Sequence, residues 1–144
     1  MRTSPPRGFS LLEVLTVLAI AGIVLTSVSL SLGQSQLRQL EMEKKKLALL
    51  IEATTNRSAT LGVDHTIIVS EQGMRFFEHR DGQLKELAAP PFQSRAWPKG
   101  VSVRVEGSPR LEARSIGLFS PTVIHFESAG FSTRAAFNTM GQLE

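Results

Sequence analysis

Phe9–Leu32 reads FSLLEVLTVLAIAGIVLTSVSLSL, an apolar run of 24 residues with one charge, Glu13. As a helix rising about 1.5 Å per residue it is ~36 Å long, enough to cross a bilayer core of ~30 Å. A carboxylate inside such a segment costs roughly 2.5–3.5 kcal/mol on insertion scales, so it needs a partner and a purpose. Glu13 stands four residues past Phe9, one helical turn along. A cut between Gly8 and Phe9 would place a new amino group on that turn, where it can neutralise the carboxylate.

The residues before the run complete a pattern. MRTSPPRG is short and basic, with Arg2 and Arg7, and it ends in Gly8. Basic leader, glycine, then Phe-x-x-x-Glu opening a long apolar helix resembles the type IV prepilin signal. The resemblance implies that a prepilin peptidase cuts after Gly8 and methylates the new amine of Phe9. It also implies that Glu13 acts in filament assembly. Two plainer readings compete. Ala19-Ile20-Ala21 resembles a secretory cleavage site, but the apolar run continues to Leu32 and carries a charge. A simple N-terminal anchor needs no Gly8 and gives Glu13 no purpose.

The rest of the chain is bounded by size and charge. Its 144 residues suit one domain and an anchor. Without Met1–Gly8 and Phe9–Leu32, about 112 residues remain, enough for one core. The net charge of +3 and pI near 9.8 suggest nucleic acid. Losing Arg2 and Arg7 with the leader, however, leaves fourteen Lys and Arg against thirteen acids, or +1. Lys44-Lys45-Lys46 alternate with Glu41 and Glu43 at i,i+3 and i,i+4 spacing, which reads as a solvated helix face. Nucleic acid is therefore not expected as a partner. There is no cysteine, so no disulfide closes the fold. Many type IV pilins carry one, and its absence leans toward a pseudopilin. The count of basic residues flanking the apolar run, Arg2 and Arg7 against Arg38 and Lys44–Lys46, would keep the C-terminal part in the cytoplasm. The resemblance implies the opposite, an inner-membrane protein of single pass with its head in the periplasm.

Helical character continues past the apolar run. Gln34–Arg57 lacks Pro and Gly and is rich in helix formers. Leu37, Leu40, Leu47, Ile51 and Thr54 form a stripe that suits packing on a sheet, interrupted by Lys44. One helix is predicted from Phe9 to Thr60, with Gly33 as a weak point. After Gly62 the period becomes alternating. Strands are predicted at 66–70, 73–79, 83–88, 100–106, 110–116, 122–127 and 131–137. Turns are predicted at 71–73, at Asp81-Gly82 and at 128–130, and a Pro-rich loop over 89–98. The predicted fold is α+β: a long N-terminal helix, half transmembrane, packed against an antiparallel β-sheet or sandwich head, pilin-like. Its parts are a removed leader (1–8), a transmembrane and filament-core helix (9–32), an amphipathic extension (33–61) and a periplasmic β head (62–144).

Trp97-Pro98-Lys99-Gly100-Val101 and Val123-Ile124-His125-Phe126 with Gly130 resemble features of the GspH/FimT family. These are H-type minor pseudopilins of type II secretion systems and related minor pilins. x-Pro-x-Gly is also ordinary turn chemistry. Major pilins often have a proline where this helix has Leu30, which weakens a role as bulk subunit. The resemblance implies as partners the prepilin peptidase, other major and minor pseudopilins, and the inner membrane. The implied function is a minor pseudopilin in the tip region of the filament that drives export of folded exoproteins.

No catalytic, cofactor or metal set emerges. His65, His79 and His125 fall on different predicted strands. Asp81 beside His79 is the hairpin residue rather than a ligand. His65 reads as a surface residue, and His125, opposite in facing to Ile124 and Phe126, reads as exposed. Of Phe76 and Phe77 one ring enters the core and the other is available to another subunit. The competing functions are a FimT-like minor type IV pilin for pilus assembly or DNA uptake, a membrane-anchored periplasmic enzyme, and an anchored binding module.

Overall fold

The computed structural model describes residues 10–144, with the side chains of 27–33 excepted. One helix, α1 (Leu11–Leu61), is followed by eight strands. These are β1 (His65–Ser70), β2 (Gly73–Arg80), β3 (Gln83–Glu86), β4 (Arg95–Ala96), β5 (Ser102–Val105), β6 (Arg110–Ala113), β7 (Thr122–Ser128) and β8 (Phe131–Phe137). The chain divides into two compact units, residues up to Ser35 and Gln36–Glu144.

In the second unit the strands form two antiparallel sheets. One has the order β3-β2-β1-β6, with β4 on β2; the other is β5-β7-β8. The α+β class predicted from the sequence is the observed one. The two-residue β4 was not predicted, because it is a short pairing inside the Pro-rich loop. The 110–116 strand stops at Ala113, where Gly117 N–H donates to the Arg114 carbonyl and closes a turn. Hairpin chemistry is as expected. Asp81 and Gly82 both have positive φ (53° and 75°), as do Ala129 and Gly130 (48° and 84°), the twist that two-residue hairpins require.

One core joins α1 to both sheets. Leu40, Leu47 and Ile51 of the helix are fully buried. They meet Ile67, Met74, Phe76 and Leu111 of the first sheet and Val103, Ile124, Phe126 and Phe137 of the second within the same cluster. Three edge-on aromatic pairs stiffen it: Phe76–Phe92 at 5.8 Å, Trp97–Phe126 at 5.9 Å and Phe119–Phe137 at 6.4 Å. The stripe also contains hydroxyls. Thr54, Thr55 and Ser58 are buried because each donates to the carbonyl four residues back.

Two expectations for the helix fail. Leu37 is 43% exposed and does not belong to the stripe. Glu43, placed by its spacing on a solvated face, is buried in the stripe and takes two hydrogen bonds from Arg95 Nη2, at 2.9 and 2.7 Å. The i,i+3 pairs Glu41–Lys44 and Glu43–Lys46 do form. α1 continues through Gly33.

Candidate functional site

Gly8 and Phe9, the predicted cleavage and methylation positions, lie outside the described residues. The site begins at Ser10, whose carbonyl accepts from the N–H groups of Glu13 (3.0 Å) and Val14 (3.3 Å). Its hydroxyl also accepts from Glu13 N–H, at 3.3 Å. Ser10 is therefore the N-cap of α1, and Ser10-x-x-Glu13 is a capping-box pattern. That signal is legible in the sequence, but the prediction that the helix starts at Phe9 overlooked it. Glu13 stands in the first turn, where the helix dipole favours a negative charge. Its carboxylate has no partner among the described residues.

Around Glu13 the helix is apolar on every side. From Leu11 to Leu25 the large hydrophobic side chains are 47% to 82% exposed. The hydroxyls in this stretch are satisfied internally: Thr16 donates to Leu12 O and Thr26 to Gly22 O, each at 2.8 Å. The surface of residues 11–26 thus presents hydrocarbon and one carboxylate. Among the described residues no helix is long and apolar enough to cross a membrane. The predicted 9–32 span extends past them at Phe9 and at the side chains from 27 on.

In the head, the motif residues position the core. Val101 N–H donates to the Pro98 carbonyl across a turn in which Gly100 has φ 82°. The turn seats Trp97 and Val101 in the core, and Trp97 Nε1 donates to Ser70 O at 2.7 Å. Ile124 and Phe126 are fully buried, and Gly130 turns the following hairpin.

The readings of two histidines need correction. His65 is buried, not on the surface, because its strand position faces α1 rather than solvent. Its Nδ1 lies 2.8 Å from Ser58 Oγ and 2.9 Å from the Val63 carbonyl, and its Nε2 accepts from Arg57 Nε at 3.2 Å. Glu78 follows 3.7 Å from Nε2, itself buried and paired with Arg80 (2.9 Å) and Arg57 (3.6 Å). Ser58, His65 and Glu78 are ordered like a nucleophile, base and carboxylate. Yet Ser58 is sealed from solvent and gives its proton to Thr54 O, so the hydroxyl serves the helix. His125, expected to be exposed, is half-buried: its facing opposite Ile124 and Phe126 holds, but its ring sits 2.6 Å from Glu106. His79 is exposed and bonds Thr66 Oγ1 at 2.8 Å. Phe76 enters the core, and Phe77 lies beneath the Arg75 guanidinium at 5.5 Å.

Residues 4–29 match the prokaryotic N-terminal methylation motif. The chain matches the minor pseudopilin EpsH from the type 2 secretion system of Vibrio cholerae in two solved structures. One gives a TM-score of 0.63 at 12% identity, over 74% of this chain and 94% of that one. The other gives 0.64 at 11%, over 74% and 92%. This is a type IV pilin-like chain with the fold of a minor pseudopilin. No curated protein matches it in sequence. The pilin-like chain thus joins a methylation motif to a head with the pseudopilin fold, and the motif implies processing by a prepilin peptidase.

Proposed function

We propose that this chain is a minor pseudopilin of a type II secretion system, a structural subunit rather than an enzyme. Cleaved after Gly8 and methylated at Phe9, it is held in the inner membrane by its first helix with the head in the periplasm. It then enters the tip region of a short filament that drives export of folded proteins. The observation that carries this reading is the placement of Glu13. It is the one charge on a helix surface of exposed hydrocarbon, one turn from the predicted new amine. In lipid an isolated carboxylate is costly. The stagger that brings Glu13 beside the amine of a neighbouring subunit removes that cost, so the charge sets the register of assembly while the apolar surface supplies adhesion. The head then selects neighbours.

The test separates processing from assembly. Glu13→Ala is expected to be cleaved and methylated normally but to lose most co-purification with the other pseudopilins and most exoprotein secretion. Gly8→Val is expected to stay at precursor mass. Wild-type secretion by Glu13→Ala would remove the mechanism. Loss of twitching motility or DNA uptake, with secretion intact, on deleting the protein would transfer it to a type IV pilus.

A further inference from the structure

The buried polar group at the C-terminal end of α1 has a property that its packing role does not use. Arg57 has only donors, so Nε2 of His65 must be the acceptor of the 3.2 Å bond, and Nδ1 carries the ring proton toward Val63 O and Ser58 Oγ. The imidazole is therefore neutral as packed. The same Arg57 guanidinium lies 5.4 Å from the centre of the Phe92 ring. Phe92 stacks edge-on against Phe76 and is the buried residue of the loop between β3 and β4. Arg57 thus ties the helix end to β1 through His65, to β2 through Glu78 and to that loop through Phe92.

A second proton on His65 cannot be accommodated in this arrangement. Nε2–H would face the Arg57 N–H, donor against donor and cation against cation. The other groups around the ring do not relieve it. β2 contributes one carboxylate, Glu78, already shared by Arg57 and Arg80, and His79 on its opposite face. β6 sets the apolar Ala113 opposite His65. The adjacent Asp64 accepts from Ser115 N–H. The ring is anchored through Nδ1, and Glu78 Oε2 lies 3.7 Å from Nε2, ready to receive the new proton. Arg57, whose side chain is 37% exposed, is the member with a route to water.

We propose that Arg57, His65 and Glu78 form a proton-operated latch, closed while the imidazole is neutral and opened when His65 takes a proton and displaces Arg57 from Glu78. Opening withdraws the cation from Phe92 and loosens the 87–94 loop, one wall of the depression beside Lys46, Leu49 and Leu50 of α1. Burial, the largest cause, holds the imidazole below its ordinary value; Arg57 adds to this, and the Val63 carbonyl and Glu78 oppose it. The sign follows. The unfolded chain binds the proton more readily, so the latch's contribution to stability is complete above the ordinary histidine value of about 6.5. It is lost as pH falls through that value toward the depressed one.

The experiment is amide hydrogen exchange on the full chain in detergent micelles at pH 7.5 and 5.5, corrected for intrinsic rates. The Phe92 and Val63 amides, which donate to Ala89 O and Ser58 O, are expected to lose protection at the lower pH while amides remote from the latch keep theirs. His65→Gln keeps an acceptor for Arg57 without a titrating ring and is expected to show no such loss. Equal protection of the wild type at both pH values, or an unchanged pH response in His65→Gln, would overturn the latch. Should that variant fail to fold, NMR of the wild-type ring decides. A neutral Nδ1–H imidazole at pH 7.5 that gains a proton as the amides open supports the proposal, and a charged ring or an Nε2–H tautomer at pH 7.5 refutes it.

Discussion

Glu43 and Arg95 lie 52 positions apart and meet only because β4 pairs with β2 at the helix surface. The Glu43 side chain is 3% exposed, while that of Arg95 is 31% exposed. The two are not equivalent losses. Removing Arg95 leaves a buried carboxylate with only Lys46 at 3.0 Å, itself half-exposed. Arg95→Ala should therefore cost about 3 kcal/mol, at the low end for breaking a buried pair. Glu43→Leu combined with Arg95→Met removes both charges and keeps the volume, and should return stability to within about 1 kcal/mol of wild type. Chemical denaturation of the wild type, Arg95→Ala and the double variant in micelles checks it; a double variant no better than Arg95→Ala would mean that the pair does more than satisfy itself. The burial of Glu43 was not legible from the sequence. Its i,i+3 lysine partner is the signature of a solvated face, and the distant arginine that justifies burial is invisible to local spacing.

At the scale of elements, legibility followed the strength of the local signal. β1, β2, β7 and β8 were readable because alternation and two-residue turns fix both register and ends. β4 was not, because two residues carry no period. His65 was misassigned because period 2 says only that residues 65, 67 and 69 share a face, and that face turned out to be the one toward α1. Of the candidate site, Glu13 was legible from charge alone, and the Ser10 cap was legible but overlooked. Glycines show the same division. Gly82 has φ 75° with open space around it, so Gly82→Ala bears only the backbone cost of about 1–2 kcal/mol. Gly141 has φ 72°, and a Cβ there would lie 2.8 Å from Thr55 Oγ1 and 3.1 Å from Ile51 Cγ2. Thr55 cannot yield freely, because its hydroxyl is bonded to Ile51 O. Gly141→Ala should cost a further ~1–3 kcal/mol from overpacking. Thermal unfolding should rank it clearly below Gly82→Ala, and equal midpoints would show that the C-terminal segment gives way instead.

At the scale of the whole molecule, the two units face opposite requirements. Every buried core hydrophobic among the described residues lies at Leu40 or beyond, whereas Leu11–Leu25 exposes its hydrocarbon throughout. The division at Ser35 and Gln36 therefore separates a part that completes its own core from a part that needs lipid or other chains to cover it. A chain begun at Gln36 keeps the Gln36–Ser128 and Glu41–Thr133 bonds, the Glu43–Arg95 pair and the entire core. It should fold cooperatively without detergent and sediment as a monomer. Its loss of stability relative to the full chain in micelles should be under about 1 kcal/mol, or roughly 4–8 °C in midpoint. Circular dichroism and analytical ultracentrifugation read this directly. A larger loss would mean that residues 11–35 contribute to the head's stability. Detergent-free aggregation would mean that an apolar surface on the head itself needs a partner before the first helix does.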